Sequence, residues 1–206
     1  MSDAGRTRQK LRTRKALVDA AVKLVRAGKQ PSIVEVAELA LVSQATAYRY
    51  FANAQALMNE ATVDIVNQSL DLPIVDEAGD DPSARLDQVV QTVGWRMFDD
   101  EALYRNLTRN TLERWFDQMG APEGERAPVR EGRRMRWNAK AIEPLRGKLP
   151  DPLFDDLLAA LALVWGMEAV LVLRDAARLD VKDAKRVMRR AAQWMLRGAL
   201  SENRDD

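Results

Sequence analysis

The chain has 206 residues, 47% of them apolar, with 32 Lys/Arg against 31 Asp/Glu and a formal net charge of +1. It holds neither cysteine nor histidine, which excludes a disulfide framework, a thiol sensor, and the commonest metal ligand and general base. The charge is unevenly spread: residues 1–60 carry ten Lys/Arg against five Asp/Glu, and the remainder 22 against 26. Local positive charge, rather than a basic total, is what nucleic-acid binding needs.

The chain starts without an apolar signal segment. Residues 1–15 carry Arg6, Arg8, Lys10, Arg12, Arg14 and Lys15 against one acid, Asp3. Such a run is either a solvated, partly disordered start or a basic arm that reaches phosphates or a minor groove. A first helix is predicted over about Thr7 to Ala27, with Leu17, Ala20, Ala21, Leu24 and Val25 as its buried stripe and Gly28 as its C-cap. Ser32 followed by Glu35 is a capping box that opens a second helix, Ile33 to Ala40. Leu41-Val42-Ser43 reads as a turn, with Ser43 the N-cap of a third helix from Gln44 to Tyr50. Asn53 can cap a fourth. Two short helices joined by such a turn form the helix-turn-helix unit, whose second helix enters the DNA major groove. Only Ala47 and Phe51 are clearly core-facing there. Gln44, Thr46, Tyr48, Arg49 and Tyr50 offer donors, rings and a cation. Gln44 suits adenine and Arg49 guanine, while Thr46 can donate to phosphate.

Helical periodicity continues over 54–70, 84–98, 99–118, 130–146, 152–177 and 182–200. Breaks fall at 71–83, at 120–128 (GAPEGERAP) and at 147–152. No stretch reads as a strand, so the fold expected is all-α. The run Leu157–Leu173 is apolar on nearly all faces, yet it is interrupted by Gly166 and Glu168 and too short for a membrane span. A helix apolar all round must be covered all round. The last two helices therefore either pack against a second copy of the chain or bury only against residues 84–146. Glu168 is the one charge in that run. An isolated carboxylate there is costly unless paired. It is either a structural partner of an Arg on a neighbouring helix or the other subunit, or a polar anchor in an aromatic pocket. No Ser-His pair, metal cluster or phosphate loop occurs, and Asp80-Asp81, Asp99-Asp100 and Asp155-Asp156 read as loop and helix-start residues. No enzyme activity, cofactor or metal is expected.

The segment VSQATAYRYF resembles the recognition segment of the TetR (tetracycline repressor) family of bacterial transcription regulators. Val42, Ser43, Thr46, Tyr48, Tyr50 and Phe51 match its usual form, close to V-S-x-x-T-L-Y-x-Y-F, and the likeness covers about residues 8–60. Leu41 stands where the family usually has Gly, and Ala54 where a phosphate-clamping Lys is common.

The resemblance implies a helix-turn-helix DNA-binding domain over 1–53 and a larger helical ligand-binding and dimerisation domain over 54–206. It implies a cytoplasmic, homodimeric regulator of a double-stranded DNA operator, in the repressor role, released by a small-molecule effector. The two C-terminal helices would make the dimer contact. The DNA-contacting set becomes Arg6, Arg8, Lys10, Ser32, Ser43, Gln44, Ala45, Thr46, Tyr48, Arg49 and Tyr50. The effector pocket would draw on Trp95, Phe98, Trp115, Phe116, Trp137, Trp165 and Glu168. The histidine-assisted metal chelation of the founding repressor does not carry over to a chain without His. The alternative is a helical dimeric interaction or ligand-binding protein that keeps this fold without reading DNA sequence.

Overall fold

In the computed structural model, residues 3–58, 60–61, 78–130 and 132–205 are described. They are helical almost throughout, and no strand occurs among them; Arg146 and Leu149 make one isolated bridge. The fold is all-α, as the periodicity requires. The end of the expected fourth helix and most of the expected 71–83 loop lie outside the described residues.

The chain forms two compact units. The first contains α1 (Asp3–Arg26), α2 (Ile33–Leu39), α3 (Gln44–Tyr50), the start of α4 (described over 54–58 and 60–61), α7 (Glu101–Asp117) and a short 3-10 turn at Glu123–Glu125. Its core joins Leu17, Val18, Ala21 and Val25 of α1 to Val36 and Ala37 of α2, Ala47 of α3, Phe51, Leu57 and Ala61. Leu103 of α7 completes this core. The basic N-terminal stretch is helical: α1 begins at Asp3, four residues before the expected start. Gly28 ends the helix region with φ +77°; its N–H donates to Val25 O, and that of Lys29 to Leu24 O. That pair of bonds is a Schellman motif, which favours a residue without Cβ at its left-handed position.

The second unit contains α5 (Pro82–Val89), α6 (Arg96–Asp99), α8 (Arg133–Ile142), α9 (Asp151–Val164), α10 (Met167–Leu171) and α11 (Val181–Asp205). Asp81 caps α5 by accepting from the N–H groups of Ser83 and Ala84, the helix-start role expected of that acid. A π-turn at Val90–Gly94 interrupts the predicted 84–98 helix, where Gly94 lets the backbone approach Met188 and Trp165. Helix α11 buries the stripe Ala184, Met188, Ala192, Leu196 and Ala199. Helical periodicity in the sequence predicts the stripe Ala184, Val187, Met188, Ala191, Trp194 and Met195; the buried stripe is rotated from it, with Val187, Ala191 and Met195 half-buried and Trp194 pointing outward, 54% exposed. Polar ties from α11 reach α5 and α6: Gln193 with Ser83, Arg189 with Asp87, and Lys185 with Asp99 at 2.6 Å.

The helix predicted over 152–177 is broken. Trp165 is extended and Gly166 takes φ +147°, so α9 and α10 meet at a bend of 46°. No single helix among the described residues is long and apolar enough to cross a membrane.

Candidate nucleic-acid interface

The α2–α3 unit is built by reciprocal capping. The Ser32 hydroxyl accepts from the Glu35 N–H at 3.2 Å, and the Glu35 carboxylate accepts from the Ser32 N–H at 2.9 Å. The Ser32 backbone N–H, and next the Ser32 hydroxyl, which also donates to that carboxylate at 2.9 Å, hold the Glu35 carboxyl below the usual carboxylate range. Ser43 caps α3 by accepting from the Thr46 N–H at 3.2 Å, and its own hydroxyl donates to Thr46 Oγ1 at 2.9 Å. Asn53 accepts from the Ala56 N–H and opens α4.

The turn between the helices is a second Schellman motif. The Val42 N–H donates to Ala37 O at 3.0 Å and the Leu41 N–H to Glu38 O at 3.1 Å. Leu41 therefore occupies the left-handed position, φ +56°, with its side chain 93% exposed. The turn keeps the geometry that glycine serves, at a steric cost of roughly 1–2 kcal/mol for an L-residue.

Helix α3 is anchored at Ala47 and at Phe51 just beyond its end, both buried. This leaves Gln44, Ala45, Tyr48 and Arg49 exposed on the opposite side, with Thr46 and Tyr50 half-buried along one flank. Ala54 packs partly against the core, where a lysine would have pointed outward. Arg14 of α1 holds one of these anchors: it pairs with Glu60, and its guanidinium lies 5.0 Å from the Phe51 ring centroid. That basic residue of the N-terminal run is thus structural. Arg8, Lys10 and Arg12 are exposed and make no ion pair among the described residues. Arg6 lies within α1, but its side chain is outside the described set.

Along the half-buried flank of α3, an open groove of about 420 Å³ separates it from the first turns of α1. Gln9, Lys10 and Thr13 line one wall; Val42, Ser43, Thr46, Arg49 and Tyr50 line the other. Of these, Gln9, Thr13 and Val42 were missed by sequence reasoning. The signal was available: with α1 running from Asp3, positions 9, 10 and 13 share a helix face.

The residues expected to bind an effector are spread over both units. Phe98 and Trp165 are buried in the second unit, and Trp95 and Trp137 are half-buried there. The Trp137 and Trp165 rings lie 6.2 Å apart, and Trp165 Nε1 donates to the buried Asn138 Oδ1 at 2.8 Å. Glu168 pairs with Arg134 at 2.8 Å and with Arg130, the neighbouring-helix partnership of the structural alternative. Burial pushes its carboxyl up, but the Arg134 and Arg130 charges and its hydrogen bonds outweigh that and hold it below the usual range. Trp115 and Phe116 belong instead to the first unit, packed edge-on at 5.2 Å and 46% and 63% exposed. The inward face of α7 ends near Asn110; Leu112, Trp115 and Phe116 emerge on its exposed side, and Met119, also exposed, follows in the turn beyond the helix.

No family model matches this chain, and no curated protein is significantly similar to it.

Proposed function

We propose that this chain is a cytoplasmic, non-catalytic, homodimeric regulator of transcription of the TetR type. In this reading it is a repressor that binds a pseudo-palindromic DNA operator and is released by a small-molecule effector. The observation that carries the reading is α3: a short helix anchored by Ala47 and Phe51 that presents Gln44, Ala45, Tyr48 and Arg49 outward beside the exposed cations of α1, which make no ion pair among the described residues. A packing helix of this length would bury more than one of its own residues. Gln44 and Tyr48 would reach base edges, and Ser32, Ser43 and Thr46 the flanking backbone. Trp194 of α11 and Leu163 of α9 are exposed, and a dimer contact through the C-terminal helices would cover them.

In the dimer, two α3 helices would dock in successive major grooves, with half-site centres about 34–36 Å apart. A gel shift on DNA flanking the protein's own gene tests this. Affinity should fall roughly a thousandfold or more between about 50 and 200 mM salt. Affinity that stays flat over that range overturns the reading. It would favour the second one, an interaction protein, which the exposed apolar side chains Leu112, Trp115 and Phe116 at the end of α7 and Met119 in the turn after it support.

A further inference from the structure

Among the described residues, the groove between α1 and α3 brings two cations to one cavity and no acid. Lys10 stands on the α1 wall and Arg49 on the α3 wall, and none of the eight lining residues is Asp or Glu. Neither cation has an acid three or four positions away along its own helix. At that spacing Lys10 meets Arg6, Thr7, Thr13 and Arg14, and Arg49 meets Ala45 and Thr46. Like charges at helical spacing and across a groove repel. A bound anion would offset that repulsion.

The remaining lining groups suit an oxyanion. Thr46 Oγ1 accepts from Ser43, which leaves the Thr46 hydroxyl hydrogen free to donate. The Tyr50 hydroxyl and the Gln9 amide have no hydrogen-bond partner among the described residues. The Arg49 guanidinium lies 5.8 Å from the Tyr50 ring centroid, along the groove wall. Two cations and three neutral donors around one opening match a group with several charged oxygens better than a single carboxylate.

We infer that the α1–α3 groove is a phosphate site closed between Lys10 and Arg49, so that Arg49 grips the backbone instead of reading guanine. As to source, the inference rests on the DNA-binding reading: the phosphate belongs to the strand that flanks the groove entered by α3. A free phosphate or phosphorylated small molecule has the same chemistry, and the experiment separates the two.

Wild type, Lys10→Ala, Arg49→Ala and the double variant are titrated by fluorescence anisotropy against two duplexes, the DNA flanking the gene and a shuffled duplex of equal composition, over a salt series. Circular dichroism melts confirm that these exposed-site variants fold. Each single variant should lose roughly tenfold on both duplexes alike. Because one phosphate is shared, the double loss should fall well short of the product of the single losses. The slope of log affinity against log salt should shrink by about 0.9 in the double variant. In parallel, pyrophosphate is compared with chloride at equal ionic strength by thermal shift. Duplex binding with independent single losses, a slope change of about 1.8, or an Arg49→Ala variant with altered preference between duplexes overturns the clamp and leaves the DNA reading standing. No duplex binding, with pyrophosphate stabilisation lost in both single variants, supports the phosphate site with a free source and overturns the DNA reading. Neither duplex nor pyrophosphate binding overturns both.

Discussion

The guanidinium of Arg134 occupies the space that a Cβ on Gly166 would fill. From there it donates to Ala162 O, left free by the break in the helix, and to Glu168, while lying 5.9 Å from the Trp165 ring centroid. One arginine of α8 thus holds both sides of the α9–α10 break. Gly166→Ala would force a side chain into φ +147° and evict Arg134. The expected loss is about 2–4 kcal/mol, from backbone strain and forfeited hydrogen bonds. Urea unfolding measures it. Because the overlap is with Arg134, the double variant with Arg134→Ala should lose less than the sum of the single losses.

Glu168→Gln keeps shape and removes charge. The folded-state carboxyl of Glu168 sits below its ordinary range, so its contribution is present above the unfolded-state value and is lost as pH falls through the folded one. Wild type should therefore exceed the variant in stability at neutral pH, with the gap closing below about pH 4. The side chain is partly exposed, so the gap should be no more than about 1 kcal/mol. Chemical denaturation at neutral and acid pH checks this, and a gap that widens on acidification contradicts it.

Leu41→Gly should stabilise the first unit. Relief of the left-handed strain, roughly 1–2 kcal/mol, outweighs the backbone entropy that glycine adds to the unfolded chain, about 0.5–1 kcal/mol. A net gain of about 0.5–1 kcal/mol should appear as a raised melting temperature. A lowered one would mean that the exposed Leu41 side chain makes a stabilising contact.

Trp194→Glu tests the assembly. On the proposed dimer it buries a charge at the contact, which costs several kcal/mol and should convert dimers to monomers. Light scattering reads the mass directly. Because the inward stripe of α11 is untouched, far-ultraviolet circular dichroism should stay unchanged. A variant that keeps wild-type mass, whether as dimer or monomer, removes Trp194 from the interface.

What the sequence determined by itself is local. The capping box at Ser32 and Glu35, the Ser43 cap and the Gln44–Tyr50 helix all rest on bonds between residues three or four apart, and they appear where the pattern puts them. The all-α class follows likewise from periodicity. Tertiary structure alone decided the rest. Nothing within α7 says that Leu103 completes the core of α1, α2 and α3 while Trp115 and Phe116 stay exposed, because the partner is distant in sequence. The run Leu157–Leu173 reads as one helix because one glycine is tolerable in a helix. It breaks at Gly166 because Arg134, some thirty residues earlier, and the buried pocket for Trp165 reward the bend. The sharing of one groove by Lys10 and Arg49 is of the same kind. Helical spacing fixes which residues share a face; only the packing of one helix on another decides what that face meets.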